Sequence, residues 1–188
     1  KSLILDVKVG NGSFNSTIEI SRELSQSLVS VAKGAGLKCE AIITDMNQVL
    51  GKSAGHTLEM LECIKYLKNE IKDYRLEKIT NELISSLLMM IHKISKEDAL
   101  KKIEEVLSNG AAAEKFEKMT SALGGPKNIL STYETDLRNE STARDIFSDK
   151  EGWIEKIHTR ELGLILIELG GGRKQVSDKI NHGVGYDS

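Results

Sequence analysis

The chain has 188 residues, 39% of them hydrophobic and 29% charged, which is typical of a globular protein and argues against disorder. Lysine plus arginine total 26 and aspartate plus glutamate total 28, so the charge balance indicates neither a nucleic-acid-binding surface nor a polybasic membrane-binding segment. Two cysteines, Cys39 and Cys63, exclude a disulfide-rich scaffold and predict buried free thiols. No apolar run reaches the ~18 residues that cross a bilayer, and no signal-peptide pattern opens the chain, so we expect a cytoplasmic protein.

The first 44 residues have the pattern of a strand, a helix and a second strand. Leu3–Val9 is an apolar, β-branched run that ends at the turn-rich loop Gly10–Asn15, and Leu37–Thr44 is a similar run. A helix of about 16 residues between them lets the two strands pair in parallel. We therefore predict an α/β sheet whose ligand loops, Gly10–Asn15 and Asp45–His56, lie at the carboxyl ends of the strands.

The predicted connecting helix has recognisable start and stop signals. Ser16 and Thr17 can cap its first turn, and Gly34 and Gly36 supply its end. Its apolar residues recur at helical spacing on one face and consist of Ile20, Leu24, Leu28, Val31 and Ala32.

Helical periodicity continues through the middle of the chain, in four helices. The third is capped by Ser95, and the fourth spans Ala111–Leu123 with Phe116 and Met119 facing inward. Pro126 is a clear helix breaker. Apolar residues define the first two helices: Leu58, Leu61, Cys63, Ile64 and Leu67, then Leu76, Ile79, Leu83, Ile84, Leu87, Leu88 and Ile91.

The last third of the chain is read as a connection and a second body. Residues 127–148 are polar, with Asn139–Thr142 in the middle, and predict a linker. Gly152–His158 alternates like a strand, and Leu162–Leu169 predicts a short apolar helix. The sequence thus suggests two bodies joined by this connection.

Several motifs are compatible with chemistry but do not fix it. The loop beginning at Gly10 is either a tight turn or a ligand loop, and it fails the dinucleotide pattern because position 15 is asparagine. Gly51-Lys52-Ser53 lacks the upstream glycine of a phosphate-binding Walker motif. Asp45 is either a cap for backbone amides or a solvated acid. The four histidines show no metal-ligand spacing, and only His56 falls in a predicted ligand loop.

Three ordered segments resemble signatures of the thymidine and pyrimidine-nucleoside phosphorylase family. The first signature segment is Asp6–Phe14. The second is Thr44–Gly51 continued by Ser53–His56 and Leu58-Glu59, and its Asp-Met-Asn-Gln form favours the thymidine branch. The third is Leu169–Arg173 with the downstream residues Asp178, Ile180, Val184 and Gly185.

The resemblance implies a homodimeric transferase that cleaves thymidine with inorganic phosphate to give thymine and 2-deoxyribose 1-phosphate, without an organic cofactor. It implies that residues 1–145 are part of the large α/β lobe of the family fold, a mixed or parallel sheet with flanking helices. It implies that residues 146–188 are the incomplete start of an α+β barrel-sandwich subdomain. Small-molecule substrates are expected as partners, and nucleic acid and membranes are not.

By the same resemblance, Ser13 and Phe14 lie at the base and sugar side of the substrate cleft, with Phe14 as an apolar wall. Lys8, at the end of the strand that leads there, is the third expected substrate-binding residue. Some family members bind a cation, and the matching ligands are the carbonyls of Leu50 and Ser53 and the carboxylate of Glu62. These hard oxygen donors suit potassium or calcium better than zinc.

The family's phosphate-binding and pyrimidine-binding segments have no counterpart in this sequence. We therefore expect a fragment that lacks an N-terminal part, contains no catalytic residue of its own, is inactive in isolation and has lost the family's dimer interface. A broader pyrimidine-nucleoside phosphorylase and a degenerate, non-catalytic product remain alternatives. An anthranilate phosphoribosyltransferase-like enzyme ranks lower, because no acidic pair is placed to hold magnesium.

Overall fold

A computed structural model describes residues 1–137 and 142–187. Strands β1 (Ser2–Val9) and β2 (Lys38–Asp45) pair in parallel, with Ser2 opposite Lys38 and Val9 opposite Asp45. Both strands thus end at the same edge of the sheet, as the sequence predicts. The result is a mixed α/β architecture in which a small parallel sheet is accompanied by helices.

Helix α1 (Ile18–Gly34) connects the two strands. Thr17 is its N-cap, with Oγ1 accepting a hydrogen bond from the Ile20 amide at 3.4 Å. The chain leaves the helix through Gly36, whose φ of +80° is readily adopted by glycine. The predicted start at Thr17 and stop at Gly36 are therefore confirmed.

The side of α1 that is buried is not its apolar face. The buried residues are Ser21 and Ser25, and the Ser21 hydroxyl lies 3.4 Å from the carbonyl oxygen of Lys8 in β1. The apolar residues Leu24 and Leu28 are exposed, and Val31 is 71% exposed. Small hydroxyl side chains allow a close approach of helix to strand, and they satisfy their own polar groups on backbone carbonyls.

The helices that follow confirm most of the predicted segments. The caps Asp73 and Ser95 accept hydrogen bonds from the Leu76 amide at 2.8 Å and the Asp98 amide at 3.0 Å. The helices are α2 (His56–Leu67), α3 (Tyr74–His92), α4 (Lys96–Ser108), α5 (Ala111–Ala122), α6 (Ile129–Asp136) and α7 (Thr159–Leu166).

Two predictions about the middle of the chain are wrong. The polar stretch 127–148 is not simply a linker, because α6 lies within it and buries Ile129 and Tyr133 against Ile64 of α2. Met119 does not face inward, since it is 52% exposed, whereas Phe116 packs against that core cluster. Residues 138–141 of the predicted linker lie outside the described residues.

The predicted strand Gly152–His158 is also wrong. This segment is irregular, and Trp153 within it is 99% exposed. The predicted helix at Leu162–Leu169 is confirmed as α7, which begins earlier and continues into one π-helical turn, Ile167–Gly171. None of the helices in the described ranges combines the length and the apolar character that a bilayer-spanning helix requires.

Candidate functional site

The first two signature segments meet at the carboxyl edge of the sheet. The Gly12 amide donates to the Met46 carbonyl at 3.0 Å, and the Asn11 amide donates to Asn47 Oδ1 at 2.9 Å. Gly10 has a φ of +126°, and a Cβ at this position would lie 2.8 Å from the side chain of Asn47. The glycines therefore allow the two loops to touch through their backbones.

The start of α7 completes this junction. Asn11 Nδ2 donates to the Ile157 carbonyl at 3.1 Å, and Asn11 Oδ1 accepts from the Arg160 amide at 3.3 Å. Thr159 is buried, and a Cβ at Gly12 would lie 2.8 Å from its Cγ2 atom. Asn11 thus joins residues that are almost 150 positions apart, through both ends of one amide. We call the contact between residues 10–15, residues 45–47 and residues 157–160 the loop junction.

Within the first loop, Ser13 and Phe14 have different surroundings. Ser13 Oγ donates to the Lys8 carbonyl at 2.9 Å and accepts from the Asn15 amide at 3.1 Å. Asn15 Nδ2 donates to the same Lys8 carbonyl at 3.1 Å. These contacts fix the loop, while the phenyl ring of Phe14 is fully exposed beside it. Phe14 is therefore the accessible one of the two side chains.

Lys8 lies in a polar cluster on the sheet. Its Nζ atom is 2.5 Å from Asp6 Oδ2 and 3.0 Å from Thr44 Oγ1, and Thr44 donates to Asp6 Oδ1 at 2.5 Å. Thr44 pairs with Lys8 in the strand register, and Asp6 is two positions away, so all three side chains share one face. The ammonium group is thus already paired.

Arg75 of α3 is a residue of this edge that the sequence reasoning missed. Its Nη2 donates to the Asp45 carbonyl at 2.6 Å, and its Nε donates to the Val49 carbonyl at 3.0 Å. The Asp45 carboxylate in turn accepts from the Asn47 amide at 3.1 Å and from Asn47 Nδ2 at 2.6 Å. Asp45 is accordingly a cap for backbone and side-chain amides, one of its two predicted roles.

A groove of about 500 Å³ opens between the end of β2 and the first turns of α3. Thr44 and Gln48 border it from the second signature segment, and Arg75 and Lys78 border it from the helix. Its size is that of a small-molecule site. The second signature segment is therefore exposed to a space large enough for a nucleoside.

The second signature segment also contacts residues 182–187, at the end of the chain region that contains the third segment. Ala54 and Tyr186 form an antiparallel bridge, with N–H to O distances of 2.9 and 2.8 Å. The Thr57 amide donates to the His182 carbonyl at 3.1 Å, and Ser53 Oγ donates to Asp187 Oδ1 at 3.0 Å. Residues 182–187 are thereby attached to the beginning of α2.

The glycine run of the third segment ends a helix. Gly170 has a φ of +94°, and its carbonyl accepts from the Asn181 amide at 2.8 Å. Asp178 Oδ2 accepts the Lys174 and Gln175 amides at 2.9 and 2.8 Å, which closes the following turn. The segment shapes the chain between α7 and residues 182–187.

Glu62 carries a mostly buried carboxylate at the predicted cation position. It is 9% exposed, Oε1 accepts from the Lys52 amide at 2.8 Å, and Oε2 lies 3.4 Å from the Ser53 amide. Among the residues that the structure describes, no three histidine, cysteine, aspartate or glutamate side chains converge. Backbone amides are thus the groups that contact this carboxylate, and its predicted role as a cation ligand together with the Leu50 and Ser53 carbonyls stays a prediction.

The same carboxylate affects Cys63. Although the Cys63 residue as a whole is exposed, desolvation of its thiol raises the thiol pKa, and the negative charges of Glu62 and then Glu59 raise it further. The thiol is therefore held in its protonated, weakly nucleophilic form at neutral pH. Of the two thiols expected to be buried, only Cys39 is.

Comparison with known proteins agrees with the signatures. Residues 153–187 match the family model described as pyrimidine nucleoside phosphorylase C-terminal domain. A curated thymidine phosphorylase from Colwellia psychrerythraea (strain 34H / ATCC BAA-681) is 44% identical over 186 residues, which cover 98% of this chain and 42% of that relative. Over almost its whole length the chain is therefore similar to part of a thymidine phosphorylase, and the family resemblance drawn from the three signature segments is confirmed.

Proposed function

We propose that this chain is part of an enzyme that cleaves thymidine with inorganic phosphate to give thymine and 2-deoxyribose 1-phosphate. The observation that carries the proposal is the 44% identity over 186 residues, which spans all three signature segments. Contacts of the first with the second segment at the carboxyl edge of the sheet, and of the second segment with residues 182–187 beside α2, give additional support. The enzyme class that follows is a pentosyltransferase acting in pyrimidine nucleoside metabolism.

The transition state of such a reaction has oxocarbenium character, and catalysis rests on positioning the reactants and stabilising charge. We propose that the exposed ring of Phe14 forms the apolar wall against the nucleoside. Ser13 and Asn15 hold the backbone that presents Phe14, because both bind the Lys8 carbonyl. The pairing of Lys8 with Asp6 keeps its ammonium group at a fixed position at the end of β1.

The groups that grip phosphate and the pyrimidine ring are proposed to lie in the part of the relative that this chain does not match. We accordingly propose that these 188 residues alone do not turn over thymidine, and that the whole enzyme is a cytoplasmic homodimer. Residues 1–145 are assigned to the large α/β lobe, and residues 146–188 to the start of the barrel-sandwich subdomain. The parallel strands in the first range and the family match over residues 153–187 support this division.

We also propose that Glu62, with the carbonyls of Leu50 and Ser53, would hold a potassium or calcium ion. The mostly buried carboxylate beside the 51–53 loop is what supports this assignment. Such an ion would neutralise the carboxylate and stabilise the loop on which the second signature segment lies.

A chimeric enzyme tests the proposed function. In this chimera the present chain replaces the aligned part of the Colwellia psychrerythraea thymidine phosphorylase, and thymine release is followed with and without phosphate. We expect phosphate-dependent cleavage of thymidine by the chimera and none by the isolated 188 residues. Phe14→Ala in the chimera should raise KM more than it lowers kcat, because the ring contributes binding surface rather than reacting atoms.

The parent Colwellia enzyme is the positive control, and circular dichroism establishes that the chimera is folded. A folded chimera without activity would contradict the proposal and favour a degenerate, non-catalytic product. Comparable cleavage of uridine would indicate the broader pyrimidine-nucleoside specificity instead. Cleavage of thymidine by the isolated chain would show that the phosphate-binding and pyrimidine-binding groups outside this chain are not required.

A further inference from the structure

Two histidines from distant parts of the chain lie side by side near the beginning of α2. The ring centroids of His56 and His182 are 4.9 Å apart, and the ring planes are inclined by 60°. Both residues are exposed, and none of the hydrogen bonds found among the described residues uses either imidazole. Their ring nitrogens are therefore open to solvent and to a ligand.

The backbone holds this pair in place from both sides. The Thr57 amide, next to His56, donates to the carbonyl of His182 itself at 3.1 Å. The Ala54–Tyr186 bridge lies on one flank, and a hydrogen bond from the Gly183 amide to Asn181 Oδ1, at 3.0 Å, fixes the turn on the other. The proximity of the two rings thus follows from contacts that do not involve the imidazoles.

The separation of the rings matches two imidazoles bound to one metal ion. A metal–nitrogen distance of about 2.0–2.1 Å, plus about 1.1 Å from nitrogen to ring centre, puts two tetrahedrally arranged rings about 5 Å apart. Imidazole nitrogen suits zinc, copper and nickel, whereas the oxygen ligands proposed at Glu62 would suit hard cations. The two positions therefore differ in the metals that they select.

We propose that His56 and His182 form a two-histidine site for a divalent ion of zinc, nickel or copper. Because no third histidine, cysteine or acidic side chain converges with them in the described part of the chain, water completes the coordination. The bound ion links residues 182–187 to the beginning of α2, and so fastens the third signature segment to the second. Metal binding at this position then stabilises the folded chain by mass action.

Calorimetric titration of the 188-residue chain with zinc chloride tests the site. We expect one ion per chain, with affinity reduced about tenfold or more by either His56→Asn or His182→Asn. His92→Asn, which changes another exposed histidine at the end of α3, should leave the affinity unchanged. The titration is done in a Cys63→Ser background, because Cys63 is an exposed free thiol and thiols are zinc ligands in general, so its removal leaves the histidines as the site under test.

Hydrogen exchange provides a second measurement. Zinc should slow exchange at the amides of Ala54 and Tyr186 in the Cys63→Ser chain and have no such effect in either asparagine variant. Equal zinc affinity in the parent and in both variants would overturn the proposal, as would the absence of zinc binding to the parent. If one variant does not fold, the other gives the same comparison, since each removes one of the two ligands.

Discussion

Replacing Gly12 with alanine tests the loop junction at its most crowded position. A methyl group at Gly12 would lie 2.8 Å from Thr159 Cγ2 and 2.9 Å from the Met46 carbonyl oxygen. The same carbonyl accepts the Gly12 amide at 3.0 Å, so the loop cannot retreat from the methyl group without lengthening this hydrogen bond. Thr159 is buried and has little room to move.

The expected cost follows from these two contacts. Overpacking of this kind costs about 1–3 kcal/mol. Weakening one backbone hydrogen bond costs about 0.5–1.5 kcal/mol. Because relief of one contact increases the other, we expect the free energy of unfolding to fall by about 2 kcal/mol in total.

Urea unfolding followed by circular dichroism measures this change, and Gly34→Ala is its matched control. Gly34 is the last residue of α1, and a Cβ there meets nothing within 4 Å. Alanine at Gly34 should leave the stability unchanged or raise it by up to about 1 kcal/mol, because glycine is disfavoured in helices. If Gly12→Ala were as stable as Gly34→Ala, the loop junction would not be packed as described.

Three further substitutions have defined outcomes. Glu62→Gln should lower the free energy of unfolding by about 1–3 kcal/mol. The substitution places an NH₂ group against a backbone N–H, of Lys52 or Ser53, whose hydrogen bond the carboxylate accepts in the parent. Arg75→Lys should cost about 1–2 kcal/mol, because an ammonium group cannot reproduce the guanidinium fork that reaches two carbonyls. Lys68→Gln should cost no more than about 1 kcal/mol at pH 7, since its ion pair with Glu70 is largely solvated.

The effect of Lys68→Gln should depend on pH. The hydrogen bond from Lys68 is the largest cause that lowers the pKa of Glu70 below its ordinary value of 4.5. Because the pKa of Glu70 is lower in the folded than in the unfolded state, the ion pair stabilises the folded protein fully above the ordinary pKa of 4.5. This stabilisation is lost as pH falls through the folded-state pKa. The difference between parent and variant should therefore shrink below pH 4.5, and a constant difference would contradict the assignment.

Substitutions at exposed positions serve as controls for Glu62→Gln and Arg75→Lys. Glu104→Gln and Arg22→Lys change the same residue types at exposed positions of α4 and α1. Both should leave the urea midpoint almost unchanged, because surface substitutions usually alter stability by less than about 0.5 kcal/mol. Losses as large as those of the test variants would show that Glu62 and Arg75 have no special role.

Local signals in the sequence were enough to predict the strands and most helices. Thr17 and Ser95 are predictable caps because a hydroxyl three residues before an amide meets it within one turn. The meeting of the first two loops is also predictable, since parallel strands end at the same edge of a sheet. The apolar runs of β1 and β2, joined by a helix, are what predict the parallel pairing of these strands.

Features that depend on distant partners were not predictable in this way. Gly152–His158 alternates like a strand, but a strand is stable only when a neighbour satisfies its backbone groups, and here the segment is irregular. Helix α6 was missed because its inward residues, Ile129 and Tyr133, lie within a polar stretch. Arg75 was missed because its partners are backbone carbonyls 26 and 30 residues away, which no motif encodes.

Hydrogen exchange of the chimera with bound thymidine, in the absence of phosphate, tests most directly whether the loop junction lies at the nucleoside site. We predict slower exchange in residues 10–15, 45–48 and 157–160 together, because one ligand covers loops that are already in contact. Protection confined to the Colwellia part of the chimera, with all three segments unchanged, would contradict the proposed site.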